Sequence, residues 1–388
     1  MDVQGWLEGY CGAAERRSVE GEARLATAAL IVRSALWIGL AAVFWWSGLD
    51  ARLAEGLWAQ CWHRGWLPWA YMAHVALAVA SYEGLLFPLT YVLAEMRERY
   101  RAARGKGAEE GGIGEVLWGF WMSLTVEVGL CTVGLTLVHV LRRLLGPWWW
   151  VALVAVFAVM RLDSSSWFRA GRERKAVDDA DFLAALKAGL ERLGGAAARL
   201  DVRGVALDLG ECNPVRPVRF VREEGSTGHL AVVAKEWWMA LDEEARLMAL
   251  LREAAHRKAR RVLRAVELAL AALGCGLGAW LTDAVAVRMG WGTLAAAEAV
   301  PVIVIVFFSL ATVLGCAIKY IARRVNGWSD VRAARAHAGG ADAFAHFMGQ
   351  LYPLTEAPPR LPRWCTLFLF EYAPLSRALR VEKALAAQ

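Results

Sequence analysis

Long apolar runs alternate with short basic segments along most of the chain. Six of these runs are candidates for membrane-spanning helices, each of which needs roughly 20 residues to cross a bilayer. They lie at about 28–49, 68–93, 113–141, 148–160, 266–281 and 300–321. The fourth and fifth are short as purely apolar runs and need flanking residues to complete a span. The pattern predicts a polytopic α-helical membrane protein with about six transmembrane helices.

The region between the fourth and fifth runs has a different pattern, which is typical of a small α+β domain. The segment "DADFLAALKAGLERLGG" has helical spacing and ends on a glycine pair suited to a C-cap. The segments "RLDVRGVALDL" and "HLAVVAK" predict short strands. From Leu241 the spacing is helical again, with Asp242 as the N-cap, and this helix is expected to continue into the fifth span.

These patterns divide the chain into four segments. The predicted segments are an N-terminal part with four transmembrane helices (1–160), a soluble α+β domain (161–262), two further transmembrane helices (263–321) and a C-terminal segment that completes the domain (322–388).

Composition and charge support a membrane location and give it an orientation. With 57% hydrophobic residues and a mean hydropathy of +0.35, the 388-residue chain is too apolar for an ordinary soluble protein. Basic residues concentrate after the second, fourth and sixth runs, so the positive-inside rule places both termini and the 161–262 region in the cytoplasm. The first 27 residues are charged and polar, unlike a signal peptide. The prediction is a multi-pass protein of the inner (cytoplasmic) membrane.

The net charge of +6 points to the lipid bilayer as a partner and excludes nucleic acid. The basic residues lie beside membrane spans, where anionic headgroups attract them, and do not form a patch interleaved with aromatic residues. The seven cysteines are scattered and include no C-x-x-C pair, which predicts neither a disulfide framework nor a cysteine zinc site.

One short motif in the soluble region carries candidate chemistry. The stretch "REAAH", from Arg252 to His256, differs from the zinc-binding pattern H-E-x-x-H at its first position only. In that pattern two histidines one helical turn apart hold Zn²⁺, and the glutamate takes a proton from the metal-bound water. E-x-x-H alone is common by chance, so the motif depends on its context.

The order of motifs resembles the membrane zinc metalloproteases of the CAAX prenyl endopeptidase and HtpX type. In that family a strand-and-turn region precedes the H-E-x-x-H helix, and "ECNPV" at 211–215 is similar to its Asn-containing turn. Leu241 and Asp242 correspond to the family's Leu-Asp pair. Leu241 precedes the first motif position, Arg252, by eleven residues, as in the family. Two spans follow, then "RAHAGGADAFA" (335–345), similar to the segment that supplies the third ligand, and "YAPLSRALR" (372–380), similar to the terminal Pro-containing segment. The resemblance implies a zincin-like α+β domain in which Glu253 is the catalytic base and His256 a zinc ligand.

Departures from the family pattern remove the expected zinc site. Arg252 replaces the first histidine, and a guanidinium stays protonated and cannot ligate zinc. Aligning Ala341-Asp342 with the family's Ala-Asp places Ala338 at the third ligand, and a second register, with His337 at the aspartate, places Ala333 there. With two of three ligands missing, the chain is predicted to be a pseudoprotease with no zinc cofactor, in which Glu253 is an inactive remnant of the general base.

The pocket residues leave alternatives open. We expect Arg252 to take the place of the cation and to pair with Glu253 or Asp342. A replacement metal site would use His256 and His337 with Glu253 as a ligand, at the cost of the base. An active membrane metalloendopeptidase with such a rearranged site is the rival hypothesis to a non-catalytic protein. His256 also fits a hydrogen-bonded structural histidine.

Four polar residues fall inside the predicted spans, namely Glu83, Glu127, His74 and His139. An ionised carboxylate at that depth must pair, take up a proton or face water. They indicate either a water-filled intramembrane chamber or hydrogen bonds between helices. The tryptophan-rich segments at 58–69 and 147–150 are typical of an aromatic belt at the outer interface.

The functional prediction is a non-catalytic membrane subunit, an inactive metallopeptidase homologue, with the active endopeptidase kept as the alternative. Its partner would be a membrane-bound peptide, a lipid-linked substrate or an enzyme that it scaffolds or regulates. A peptide could bind by adding a strand to an exposed sheet edge.

Overall fold

The structure is a computed structural model in which the chain folds into two compact units. It describes residues 13–49, 51–53, 55–56, 67–102, 113–163, 174–209, 217–222, 228–289, 300–355, 358, 361–366 and 373–387. The helical unit comprises Arg24–Asp163 and Glu267–Ala317, and the sheet-bearing unit comprises Met1–Ala23, Ser164–Val266 and Ile318–Gln388. The predicted turn at 211–215 and most of the tryptophan-rich segment at 58–69 lie outside the described residues.

Long helices account for the helical unit. They are α1 (Ala13–Ser47), α2 (Leu67–Ala102), α3 (Ile113–Leu145), the shorter α4 (Trp149–Asp163), and the apolar parts of α7 (Glu243–Arg288) and α8 (Val300–Ala336). Aromatic side chains pack α1 against its neighbours within this unit. Trp37 stacks on Phe308 of α8 with ring centroids 5.8 Å apart and meets Tyr82 of α2 edge-on at 5.2 Å.

The described residues contain five helices that are long and apolar enough to cross a membrane, one fewer than the sequence predicted. These five stretches are Glu15–Ser47, Ala73–Arg97, Leu117–Arg142, Ala259–Arg288 and Pro301–Ala336. The fourth predicted span falls on α4, whose 15 residues extend only about 22 Å, short of the roughly 30 Å hydrocarbon core. The fifth predicted run, which looked short, is the end of a 46-residue helix.

The sheet-bearing unit contains a four-stranded mixed sheet. Its strands are β1 (Arg174–Val177), β2 (Val202–Asp208), β3 (Val218–Arg222) and β4 (His229–Ala234), in the spatial order β1-β2-β4-β3. β2 and β4 are parallel, and the two edge strands pair antiparallel to them. The prediction of β2 and β4 is confirmed, whereas the sequence did not reveal β1 and β3.

Helix α5 (Ala180–Leu193) packs on this sheet through a predicted amphipathic face. Asp179 caps its first turn by accepting a hydrogen bond from the Phe182 amide at 2.9 Å. Leu186 and Leu190, one turn apart, are buried in the domain core. The helix ends at Gly194, whose φ of +70° favours glycine. The predicted C-cap is therefore confirmed, and the N-cap at Asp179 is a finding of the structure.

Helix α7 follows β4 after the short helix α6 (Lys235–Ala240) and begins at the predicted cap. The Asp242 carboxylate accepts a hydrogen bond from the Ala245 amide at 2.9 Å, and the helix then runs without a break to Arg288. Helix α8 extends fifteen residues beyond Ile321, where the sixth apolar run was predicted to end. The remaining helices are α9 (Gly340–Thr355), α10 (Arg363–Thr366) and α11 (Pro374–Ala386).

Candidate functional site

The motif on α7 faces the polar extension of α8. Arg252 and His256 of α7 contact Asp330 and Ser329 of α8, and Glu244 of α7 neighbours His337, which directly follows α8. The residue numbers rise along α7 as they fall along α8, so the two segments are antiparallel. The candidate site is therefore built where two helices that contain membrane spans continue beside one another within the sheet-bearing unit.

A buried carboxylate holds two guanidinium groups at the first motif position. Arg252 Nε donates to Asp330 Oδ1 at 2.9 Å, and Arg377 of α11 donates from Nε and Nη2 to the two carboxylate oxygens at 2.8 and 2.7 Å. The Asp330 side chain is 1% exposed, Arg377 5% and Arg252 22%. These three residues, named here the Asp330 cluster, join α7, α8 and α11.

Arg252 contacts Asp330, a carboxylate that the sequence did not predict as its partner. Asp342 is exposed in the first turn of α9, where a negative charge interacts favourably with the helix dipole. The Glu253 carboxylate is bound by Arg260, whose two terminal nitrogens each donate to one of its oxygens. Asp330 was missed because α8 was expected to end at Ile321.

His256 takes part in a hydrogen bond to a buried hydroxyl. Its Nδ1 lies 3.3 Å from Ser329 Oγ, which itself donates to the carbonyl oxygen of Val325 at 3.0 Å. Because the hydroxyl proton is directed at Val325, the hydroxyl oxygen is the acceptor of a hydrogen bond from a protonated His256 Nδ1. This arrangement agrees with the structural-histidine alternative considered from the sequence.

The other predicted pocket residues lie elsewhere. His337 and Ala338 form the turn between α8 and α9, where Ala338 is exposed and His337 Nδ1 accepts from the Gly339 amide at 3.1 Å. His337 neighbours Glu244, which precedes His256 by twelve residues and therefore lies about 18 Å away along α7. The structure does not bring His256 and His337 together as a pair of metal ligands.

The residues around the motif do not fit a zinc ion. Among the residues that the structure describes, no group of three or more His, Cys, Asp and Glu side chains could hold a metal. The first motif position carries a guanidinium, and the carboxylate facing it, Asp330, already accepts from two cations. A guanidinium at this position disfavours a bound dication.

His337 gives the sheet-bearing unit a predicted pH dependence. Burial lowers the pKa of His337 below its ordinary value of 6.5, while the Glu244 carboxylate opposes the shift and Arg192 adds to it. Just below pH 6.5 the unfolded chain therefore binds more protons than the folded chain. The contribution of neutral His337 to the free energy of unfolding is fully present above that pH and is lost on acidification. We expect the unfolding temperature of His337→Gln to decrease less than that of the wild type when the pH is lowered from about 7 to 5. Parallel pH curves for the two proteins would contradict this assignment.

The helical unit contains an ion pair between a buried carboxylate and a partly exposed arginine, within two candidate spans. Glu83 is 3% exposed, and its Oε1 accepts from Arg33 Nη2 at 2.8 Å and from Trp37 Nε1 at 2.7 Å. His74 is fully buried on the same helix as Glu83. Glu127 and His139 lie on α3, but their side chains are outside the described part of the chain. At Glu83, the cost of a membrane carboxylate is met by pairing.

The arrangement of candidate membrane helices, a small mixed sheet and a motif helix that continues into a candidate span is similar in fold to a membrane metalloprotease of known structure. Among eight matching chains of solved structures is the crystal structure of S. mikatae Ste24p, a protein of the CAAX protease type. It aligns with a TM-score of 0.50 at 13% sequence identity, covering 79% of this chain and 76% of that chain. A likeness at this identity shows the fold alone. No protein-family model and no curated protein sequence matches the chain.

Proposed function

We propose that this protein is a non-catalytic homologue of the membrane-embedded zinc metalloproteases, acting as a binding, scaffolding or regulatory subunit in the cytoplasmic membrane. The observation that carries the proposal is the Asp330 cluster. It places a guanidinium at the first motif position, and the carboxylate that faces this position already accepts hydrogen bonds from two arginines. A protease-like fold is combined with a motif position whose arginine is bound to the facing carboxylate.

The remnant catalytic residues support the same conclusion. A general base has to approach a metal-bound water, but the Glu253 carboxylate accepts from Arg260 at both oxygens. His256 directs one ring nitrogen to Ser329. We infer that this end of α7 now has a structural role, and that the retained protease fold serves to bind a membrane-bound peptide, a lipid-linked substrate or an enzyme partner.

The sheet offers one surface for such a partner. Among the described strands β3 pairs with β4 alone, so its other side is a sheet edge to which an extended chain could add by backbone hydrogen bonds. Edge addition needs no metal and no base, and it is compatible with a site that has lost both.

Metal content of the purified full-length protein tests the proposal. We expect no stoichiometric zinc in protein prepared without chelator, and no difference between the wild type and the Glu253→Ala and His256→Ala variants. One zinc per chain that is lost in His256→Ala would overturn the proposal. That result would favour the rival hypothesis, an active metalloendopeptidase with a rearranged site that uses His256.

A further inference from the structure

Three arginines lie on one face of α7 at the point where this helix reaches its membrane span. Arg257, Arg261 and Arg264 follow the spacing i, i+4, i+7, which places them within an arc of about 60° over about 10 Å of helix. The apolar stretch of α7 that is long enough to cross a membrane begins at Ala259. The three residues are named here the arginine stripe.

The charges of the arginine stripe repel one another. Burial lowers the pKa of Arg257, and repulsion from Arg261 lowers it further, against the attraction of Glu253. Arg257 Nη2 lies 3.2 Å from His229 Nε2, a contact in which the guanidinium donates to a ring nitrogen and not to an anion. Arg261 and Arg264 are exposed, and neither has a carboxylate partner within the described ranges of the chain.

A neighbouring arginine on the same turn shows the contrast. Arg260 is paired with Glu253 through two hydrogen bonds, and its side chain is 26% exposed. The charge of Arg260 is therefore neutralised by a carboxylate of the protein, whereas the charges of the arginine stripe are not. The uncompensated charge lies at the membrane entry, where an external anion is available.

We infer that the arginine stripe binds the phosphate of an anionic phospholipid headgroup. Guanidinium groups match phosphate oxygens bidentately, and Arg261 and Arg264, one helical turn apart, are close enough to contact one phosphate together. Arg257 adds to the positive potential and lies next to His256, so the bound lipid would neutralise charge within one turn of the protease-like motif.

The test compares lipid preference in matched variants of the full-length protein. The wild type, Arg260→Gln and the double variant Arg261→Gln/Arg264→Gln are reconstituted in nanodiscs of phosphatidylcholine, or of an equal mixture of phosphatidylcholine and phosphatidylglycerol. The unfolding temperature is measured in both, and native mass spectrometry measures which lipid stays bound. Comparing the difference between lipids for each variant removes any loss of stability that the substitution itself causes.

We expect phosphatidylglycerol to raise the unfolding temperature of the wild type and of Arg260→Gln by several degrees, and to be retained over phosphatidylcholine by a factor on the order of ten. The double variant should lose both effects. An equal response to the two lipids in the wild type, or an unchanged preference in the double variant, would overturn the inference. A shift of the same size from inorganic phosphate added to phosphatidylcholine nanodiscs would also overturn it, because the ligand would then be an aqueous anion. None of these outcomes depends on metal content.

Discussion

Replacing Asp330 with asparagine is expected to lower the free energy of unfolding by about 3–5 kcal/mol, because breaking a buried ion pair leaves uncompensated charge behind. The Asp330 side chain is 1% exposed and accepts three hydrogen bonds from two guanidinium groups. An asparagine keeps the shape and one acceptor oxygen but removes the negative charge. Arg377, which is 5% exposed, cannot turn to solvent in place.

The measurement is the unfolding temperature of the purified protein in one detergent, with Asp201→Asn as the matched control. Asp201 pairs with Arg203 at 3.4 Å, but both side chains are more than half exposed, so this pair contributes little. Replacing the whole cluster with Arg252→Met, Asp330→Leu and Arg377→Met should recover much of the stability, since apolar groups of similar volume remove all three charges together. If Asp330→Asn is as stable as the control, the cluster does not join the three helices.

Changing Arg252 to histidine is expected to give the protein a zinc site that the wild type lacks. The substitution places two imidazoles four residues apart on α7, the spacing at which both can reach one metal. It also releases Asp330 from one of its two guanidinium partners, so that a carboxylate oxygen on the facing helix becomes available as a third ligand. This single substitution restores the complete H-E-x-x-H pattern on α7.

Zinc per chain, measured after dialysis against zinc and removal of the excess, decides the outcome. Arg252→Gln serves as the control, because it removes the cation without adding a ligand and should stay free of zinc. Adding Asp330→Asn to Arg252→His should abolish the gained zinc if Asp330 is the third ligand. A metal-free Arg252→His variant would mean that the pocket has departed from a zinc site by more than its first position.

Local signals in the sequence predicted the elements whose ends are capped or strongly periodic. Gly194 ends α5 and Asp242 begins α7, because capping chemistry is read from adjacent residues. The strands β1 and β3 were missed since both are edge strands. The segments "RKAV" and "VRFVR" carry basic residues that a sheet edge tolerates but that a strand pattern does not predict.

The sequence predicted that Arg252 would pair with a carboxylate, but it did not predict which carboxylate. A guanidinium in the motif position requires a carboxylate, which follows from the residue type alone. Which carboxylate it meets depends on the register of α7 against α8, and on the extension of α8 past Ile321. In "GWSDVRAARA" nothing local distinguishes the buried Asp330 from a charge at the end of a span, and Arg377 is a single basic residue far along the chain.

The Asp330 cluster also sets an order of assembly during biosynthesis. Its members are separated by 78 residues and then by 47, so the ribosome makes Arg252 and Asp330 well before Arg377. Until α11 is synthesised, Arg252 is the only one of the two arginine partners of Asp330 in the nascent chain. The surface that α11 later covers is then accessible to chaperones and quality-control proteases. The membrane helices can insert earlier, because their backbone hydrogen bonds are satisfied within each segment. The sheet-bearing unit would thus mature after the helical unit, and a chain interrupted before Arg377 would be inserted but unfinished.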